Sequence, residues 1–292
     1  MKNKYFKLFI FIFFTPLFLI AKVVDENFIP SSEVIGVFQT FSPLFTQEQK
    51  EILQNNPSLE NLNGIAQKVF LRPAGVELPD LPKKSDFGEY VNSQTVELFK
   101  EIGCIGDVFP KQKNYQYVFI NGATIAAMRS RIETLTRIVQ EEKLDLNATE
   151  IVFLTGERDL FESEKIEAES LATEADAAVW LCKQYPLLAS RNITFVRAPK
   201  NASGGRPTTK DTIVKWLDTS PSIGSGLSIS SQPFVYYQEI TISSEFPNGF
   251  TIEGVGFDKY NPENLRENIL VYLDNLARTL YTLVKIKNSQ KR

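Results

Sequence analysis

Residues 115–156 read YQYVFINGATIAAMRSRIETLTRIVQEEKLDLNATEIVFLTG. The run 115–120 is short, apolar and aromatic, and Asn121-Gly122 breaks it. Ile125, Met128, Ile132, Leu135 and Val139 then recur at spacings of three and four, the period of an amphipathic helix. A second apolar run, 151–154, ends at Thr155-Gly156. Strand, helix and strand in this order form a βαβ unit, with parallel strands and a right-handed crossover.

The same alternation continues toward the carboxyl terminus. Residues 166–183 carry Leu171, Ala175, Val179 and Cys182 on one side and predict a helix. A strand is predicted at 193–196, a polar loop at 200–207 and a helix at 209–217. Strand 227–229 leads through Ser230-Ser231 into a helix from 233, and strand 250–255 into a long closing helix over 262–284. Pro262 suits the first position of that last helix. The strands are short apolar runs, as expected where both faces of a sheet are covered. The fold class is therefore α/β, with a doubly wound, mostly parallel sheet over 115–285.

Residues 22–114 read differently. Helices are predicted at 46–53, with Thr46 as cap, at 59–70 and at 91–102. Pro73, Gly75, Pro79 and Pro82 make 71–84 a loop. No chemical motif falls here, and the region is expected to be a helical cap packed on the main domain. Residues 286–292 form a basic tail, expected to fray.

Lys2, Lys4 and Lys7 precede a stretch, 8–21, that is apolar apart from Thr15. A basic start and a short apolar run fit a secretory signal over 1–21. The run is short for a membrane span, which needs about 20 residues. Export to a periplasmic or secreted location is expected, with membrane attachment only through an uncleaved signal.

The 292-residue chain contains no histidine. Imidazole acid/base chemistry, Ser-His-Asp and Cys-His systems and imidazole metal sites are excluded. Lys and Arg number 32 against 35 Asp and Glu, so there is no basic surplus and nucleic acid is not an expected partner. Cys104 and Cys182 form either a bridge or two buried thiols. G-x-G-x-x-G, Walker A and G-x-S-x-G motifs are absent, so no cofactor is named. Asp159, Glu162, Glu164, Glu167 and Glu169 suit the start of a helix, with a carboxylate site for a divalent metal as the lesser alternative.

Open parallel sheets bind ligands beyond the carboxyl ends of their strands. Asn121 and Gly122 follow the first strand here, and Gly156, Glu157 and Arg158 the second. Gly204, Gly205, Arg206, Thr208, Thr209 and Asp211 follow the third, and Ser230, Ser231 and Gln232 the fourth. The least bland segments of the chain thus project to one edge. Arg158, Arg206 and the helix start at Thr208-Thr209 suit an anion. Gly122, Gly156 and Gly205 give room for close approach, and Asn121, Ser230, Ser231 and Gln232 supply hydrogen bonds. Arg131 flanks the apolar stripe of the first helix and is a further ligand-binding candidate. Glu157, Glu174 and Asp211 are the acid/base candidates, and burial must raise their proton affinity for work near neutrality. Local alternatives stay open. Asn121-Gly122 also fits an ordinary turn, Thr208-x-x-Asp211 a capping box, and Glu157-Arg158 a surface ion pair.

The order of these elements over 117–238 resembles the YdcF/SanA/ElyC-like domain of bacterial envelope proteins. That family shows a strand ending in Gly-Gly, a helix with Arg, a strand ending in Ser-Gly-Gly, then Glu-Ala, Asn-Thr-x-Glu-Asn and Thr-Ser elements. Asn121-Gly122, Arg131, Thr155-Gly156, Glu174-Ala175, the segment 208–212 and Ser230-Ser231 stand at those places. Asn121, Thr208 and Thr212 replace the family's residues, and the His and Arg expected after the fourth strand are missing. The resemblance implies a Rossmann-like or flavodoxin-like sheet, a ligand cleft on the edge named above, and an envelope role on a nucleotide- or phosphate-bearing molecule. Two functions are expected from the whole. One is an exported protein that binds, or acts on, an anionic small molecule of nucleotide-, sugar-phosphate- or lipid-linked type. The other is a noncatalytic envelope or secreted interaction protein that keeps the fold.

Overall fold

The computed structural model describes residues 23–202, 204–258 and 264–290, so the expected signal over 1–21 and the Asn261-Pro262 helix start lie outside the described residues. The amino-terminal helices are α1 (Ser32–Phe41), α2 (Gln47–Gln54), α3 (Leu59–Val69), α4 (Asp86–Glu89) and α5 (Ser93–Glu101). The sheet region follows as β1 (Tyr117–Asn121), α6 (Ile125–Gln140), β2 (Glu150–Gly156), α7 (Glu162–Lys165), α8 (Glu174–Cys182) and α9 (Pro186–Ala189). It continues with β3 (Ile193–Ala198), α10 (Thr209–Leu217), β4 (Ser225–Ile229), α11 (Val235–Glu245), β5 (Thr251–Val255) and α12 (Leu265–Gln290).

All strand pairs are parallel and the strand order is β3-β2-β1-β4-β5. This is the order of a Rossmann-type sheet, and its topological switch point lies between β1 and β4. Side chains alternate between the two faces of each strand. Val118, Ile120 and Phe153 meet Met128, Ile132 and Leu135 of α6 and Leu181 of α8. Tyr117, Phe119 and Val152 meet Ile213 and Trp216 of α10 and Ile242 of α11. Trp216 stands edge-on to Phe119 with ring centroids 4.9 Å apart. The doubly wound fold follows directly from apolar residues on both faces of β1 and β2.

Four expectations on element bounds need correction. Residues 166–183 do not form one helix: α8 starts at Glu174. Thr173 and Asp176 make a reciprocal capping box that fixes this start, and such a cap outweighs the apolar periodicity upstream. Leu171 instead packs from a loop on the core beneath α6 and α8. Second, α1 was not expected. Its signal is Ser31, which caps Val34, followed by buried Val34, Val37, Phe38 and Phe41. Third, the tail does not begin at 286. Ile286 packs on the apolar cluster one turn beyond Leu283, and α12 runs on to Gln290.

The fourth correction concerns α12 itself, expected to close the α/β domain. Its Tyr272, Leu273, Leu276 and Leu280 share one apolar cluster with Val34, Phe38, Phe41, Leu59, Leu62 and Phe99 of the amino-terminal helices. The cap over 22–114 is thus bound to the chain's last helix, and both lie against the sheet region. Cys104 and Cys182 are buried thiols in different clusters and are not bridged. Burial pushes the Cys182 thiol up to about 12.

Candidate functional site

At the end of β1, the Asn121 side-chain amide donates to Ser228 Oγ (2.9 Å) and the Ile229 carbonyl (3.2 Å) across the switch point. Among the described residues, the buried Asn121 Oδ1 has no hydrogen-bond partner, nor has Ser230 Oγ at the end of β4. Gly122 donates its N–H to the Leu154 carbonyl at 2.7 Å. A Cβ on Gly122 would stand 2.1 Å from Glu174 Oε1 and 2.7 Å from that carbonyl. Its φ is not positive, so close approach, not turn geometry, requires the glycine.

Glu174 opens α8 and reaches back to the sheet. Its Oε1 accepts the Gly156 N–H at 3.2 Å, and its Oε2 accepts Arg158 Nε at 3.0 Å. Arg158 sends its other two nitrogens to Glu164, 2.8 Å from Nη1 to Oε2 and 3.2 Å from Nη2 to Oε1. The same nitrogens also reach the Asp159 and Ala123 carbonyls, and the Phe161 ring covers the guanidinium. Arg158 is therefore committed internally on every side. The reading of Glu157-Arg158 as a joint anion-binding pair does not match this geometry. Glu157 turns the other way, to Arg197 at 3.2 Å, because adjacent residues at a strand end face opposite sides.

Glu164 completes the cluster in a way the sequence does not show. Its Oε1 also accepts the Ile125 N–H (2.8 Å), the first amide of α6. A helix start after the first strand is where Rossmann-type sheets hold a phosphate. Here the chain's own carboxylate occupies that position. Arg131 supports the same turn from below: its Nη1 donates to the Asn121 and Gly122 carbonyls at 2.6 and 3.0 Å. Burial lowers the Arg131 guanidinium to about 10, against the opposing pull of Glu174. Arg131 clamps backbone and is not open to a ligand.

The proton affinities of the two carboxyls shift in opposite directions. Burial raises the proton affinity of Glu174, and this outweighs Arg158 and the Gly156 N–H. For Glu164 burial acts in the same direction, but Arg158 and two backbone N–H groups outweigh it and the net shift is downward. The sign on stability follows. Glu164 stabilises the fold above its ordinary value of 4.5, and this is lost as pH falls through its lower folded value. Glu174 contributes stability below 4.5 that is lost as pH rises through its higher folded value. Glu164→Gln is expected to cost about 2 kcal/mol at neutrality, the scale of hydrogen bonds to charged groups, and to flatten the acid limb of a stability-against-pH curve. Glu174→Gln is expected to cost less at neutrality and to flatten the decline above 4.5. Denaturant titrations across the pH range check both, and equal costs would show that the two carboxyls share one environment.

The third-strand loop forms a second patch. Asp211 Oδ2 accepts from the N–H and hydroxyl of Thr208, both at 2.7 Å, so the α10 start is closed by its own capping box. Thr209 is the first helical residue, and its carbonyl accepts the Thr212 hydroxyl. Gly205 pairs with Asn201, through its N–H at 2.7 Å to Asn201 Oδ1. Arg206 extends outward to Glu77 of the amino-terminal region, 3.2 Å away. Pro207 joins the two patches, since a Cβ on Gly156 would stand 2.0 Å from Pro207 Cγ. Gly156 thus has Glu174 on its amide and the Arg206-Pro207 loop against its α carbon.

The β4 end is roofed. Gln232 Nε2 donates to the Gly103 and Gly106 carbonyls at 3.2 and 2.9 Å, and Asn275 of α12 donates to the Pro233 carbonyl at 2.9 Å. Val108 and Gly256 exchange backbone hydrogen bonds beyond β5. Ser231 accepts the Phe234 N–H on its carbonyl beneath this cover. Gln232 therefore fastens the end of β4 to the turn at Gly103–Gly106, and Ser231 closes the turn into α11.

Sequence reasoning missed Glu164 as a partner of α6 and gave no role to Arg72, Glu77, Asp274 or Arg278. Asp274 Oδ2 accepts Arg278 Nε (2.9 Å), and Oδ1 accepts the Arg72 N–H (3.1 Å). Two surface cavities, of about 550 and 470 Å³, lie around Val91, Asn92 and Arg266, and no residue of the carboxyl edge lines either. Among the described residues, no group of three or more Cys, Asp or Glu side chains is placed to hold a metal, and no helix is long and apolar enough to cross a membrane. No family model, curated protein or solved structure matches the chain.

Proposed function

We propose that this protein is exported and binds an anionic small molecule, of nucleotide-, sugar-phosphate- or lipid-linked type, at the carboxyl edge of its sheet. The supporting observation is the junction at Gly156, where a buried carboxyl of raised proton affinity, Glu174, and the arginine-bearing loop 204–208 meet. Groups of shifted proton affinity gather at functional sites more often than elsewhere. Arg206 is the anion contact in this reading, because half of its side chain is exposed while Arg131 and Arg158 are committed internally. Glu174 is the acid/base group if a reaction occurs. The relation to the YdcF/SanA/ElyC-like domain belongs to the same proposal and rests on the order of motifs.

A second reading has its own observation. Glu164 fills the α6 start and Arg158 binds two carboxylates, so the first βαβ turn is satisfied without a ligand. A noncatalytic envelope or secreted interaction protein fits that closure. Thermal-shift measurements with nucleotides and sugar phosphates separate the readings. The first expects a melt raised by several degrees at ligand well above its dissociation constant, where linkage supplies about 3 kcal/mol, and loss of that rise in Arg206→Ala. No shift with any anion sinks it in favour of the second.

A further inference from the structure

Glu77 bridges two guanidiniums from distant parts of the chain. Its Oε2 lies 3.2 Å from Arg206 Nη1 and 3.5 Å from Arg72 Nη2. Both distances are long for a charge-assisted pair, which closes to about 2.7–2.9 Å when well formed. The internal pair of Arg158 and Glu164 reaches 2.8 Å. Arg278 completes the group through Asp274, which also faces Arg72 at 3.9 Å. Within this group three guanidiniums share two carboxylates, and one positive charge is left uncompensated. Arg72 is nine-tenths buried, and its Nη1 makes no hydrogen bond among the described residues. Its affinity for a proton is lowered by burial, which outweighs Asp274; Arg278 and Arg206 repel it further, and Glu77 opposes them.

A buried, repelled guanidinium is a group that gains from an added anion. Glu77 is a weak filler for it. It sits in the loop between Gly75, whose φ is +84°, and the short turn Leu78–Asp80, and a quarter of its side chain is exposed. A phosphate brings three oxygens and nearly twice the charge of Glu77 to the same two forks.

We infer that the space bridged by Glu77 between Arg72 and Arg206 is an anion subsite, where a ligand's terminal phosphate or carboxylate takes the place of the Glu77 side chain. The inference rests on the edge-binding reading above and deepens it. It assigns the ligand's anionic end to the amino-terminal region as well as to the third-strand loop. The cap is then part of the site, and Glu77 is its internal competitor.

The test is calorimetric titration of the full chain with inorganic pyrophosphate in one arm and citrate in the other, which separates phosphate from carboxylate. Wild type is compared with Glu77→Ala, Glu77→Gln and Arg206→Ala, and with Lys210→Ala as a control cation outside the group. Glu77→Ala and Glu77→Gln are expected to bind roughly fivefold more tightly, the effect of releasing a partly exposed ion pair. Arg206→Ala is expected to lose at least about tenfold, the effect of removing a hydrogen bond to a charged group, and Lys210→Ala to bind as wild type. Binding that depends on Arg206 but is unchanged in both Glu77 variants overturns the subsite and leaves the edge reading standing. Binding that is insensitive to Arg206→Ala overturns the subsite and the role given to Arg206. No binding by wild type or either Glu77 variant overturns the subsite and the edge reading together.

Discussion

Arg158→Met lowers the stability of the fold by about 4 kcal/mol, the cost of leaving a buried charge without its partner. Arg158 bonds two carboxyls, each almost wholly buried, at 2.8 and 3.0 Å. Methionine fills similar volume but supplies no donor, so Glu164 and Glu174 face each other across an apolar side chain. Glu164 also holds the first amide of α6, and repulsion there loosens the turn that ends β1. At roughly 2–4 °C per kcal/mol for a chain of this size, the melt falls by about 10 °C. The combined variant Arg158→Met, Glu164→Gln, Glu174→Gln recovers most of the loss, because a buried ion cluster removed as a whole costs little. Urea titration checks both statements. A loss below about 1 kcal/mol for Arg158→Met, the range of an exposed pair, would show that water reaches the cluster.

Gly122→Ala is the second large effect, at about 3 kcal/mol, the upper range for overpacking a close-packed site. The added methyl meets Glu174 Oε1 at 2.1 Å and the Leu154 carbonyl at 2.7 Å. The carboxylate can rotate away only by releasing the Gly156 N–H and Arg158 Nε. The carbonyl belongs to β2 and cannot move without breaking its bond to the Gly122 N–H. Gly64 is the contrasting position. It lies inside α3, where an added methyl would have nothing within 4 Å, so Gly64→Ala stabilises by about 0.5 kcal/mol through the unfolded chain. Thermal melts of the two variants, with opposite signs expected, separate steric demand from glycine's flexibility.

The helical stripe from Ile125 to Val139 was legible because it acts within a few residues. So was the capping box of Thr208 and Asp211, which the structure shows to be the local function of both residues. The need for glycine at 122 and 156 comes instead from Glu174, Leu154 and Pro207, more distant in the chain. The partners of the charged groups were not legible. Glu164 is an acid beside a short helix when read along the chain, and in space it serves a helix 39 residues earlier. Arg72 falls in a proline-rich loop without a motif, and its partner Asp274 lies 202 residues later. Arg158 and Arg206 look alike in sequence. One is buried and fully bonded, and the other is exposed on a weak pair.

The sequence by itself determined the five strands with helices between them, their parallel pairing and the lack of any imidazole. These follow from composition, from the periods two and 3.6, and from caps that neighbouring residues complete. Only the tertiary structure decided that β1 lies between β2 and β4, that α12 packs with the amino-terminal helices, and which edge residues remain open. The physical reason is that a buried charge must find its counter-charge wherever the chain brings one near, and its worth depends on how much water is excluded there. Neither quantity is written into the residues on either side of it.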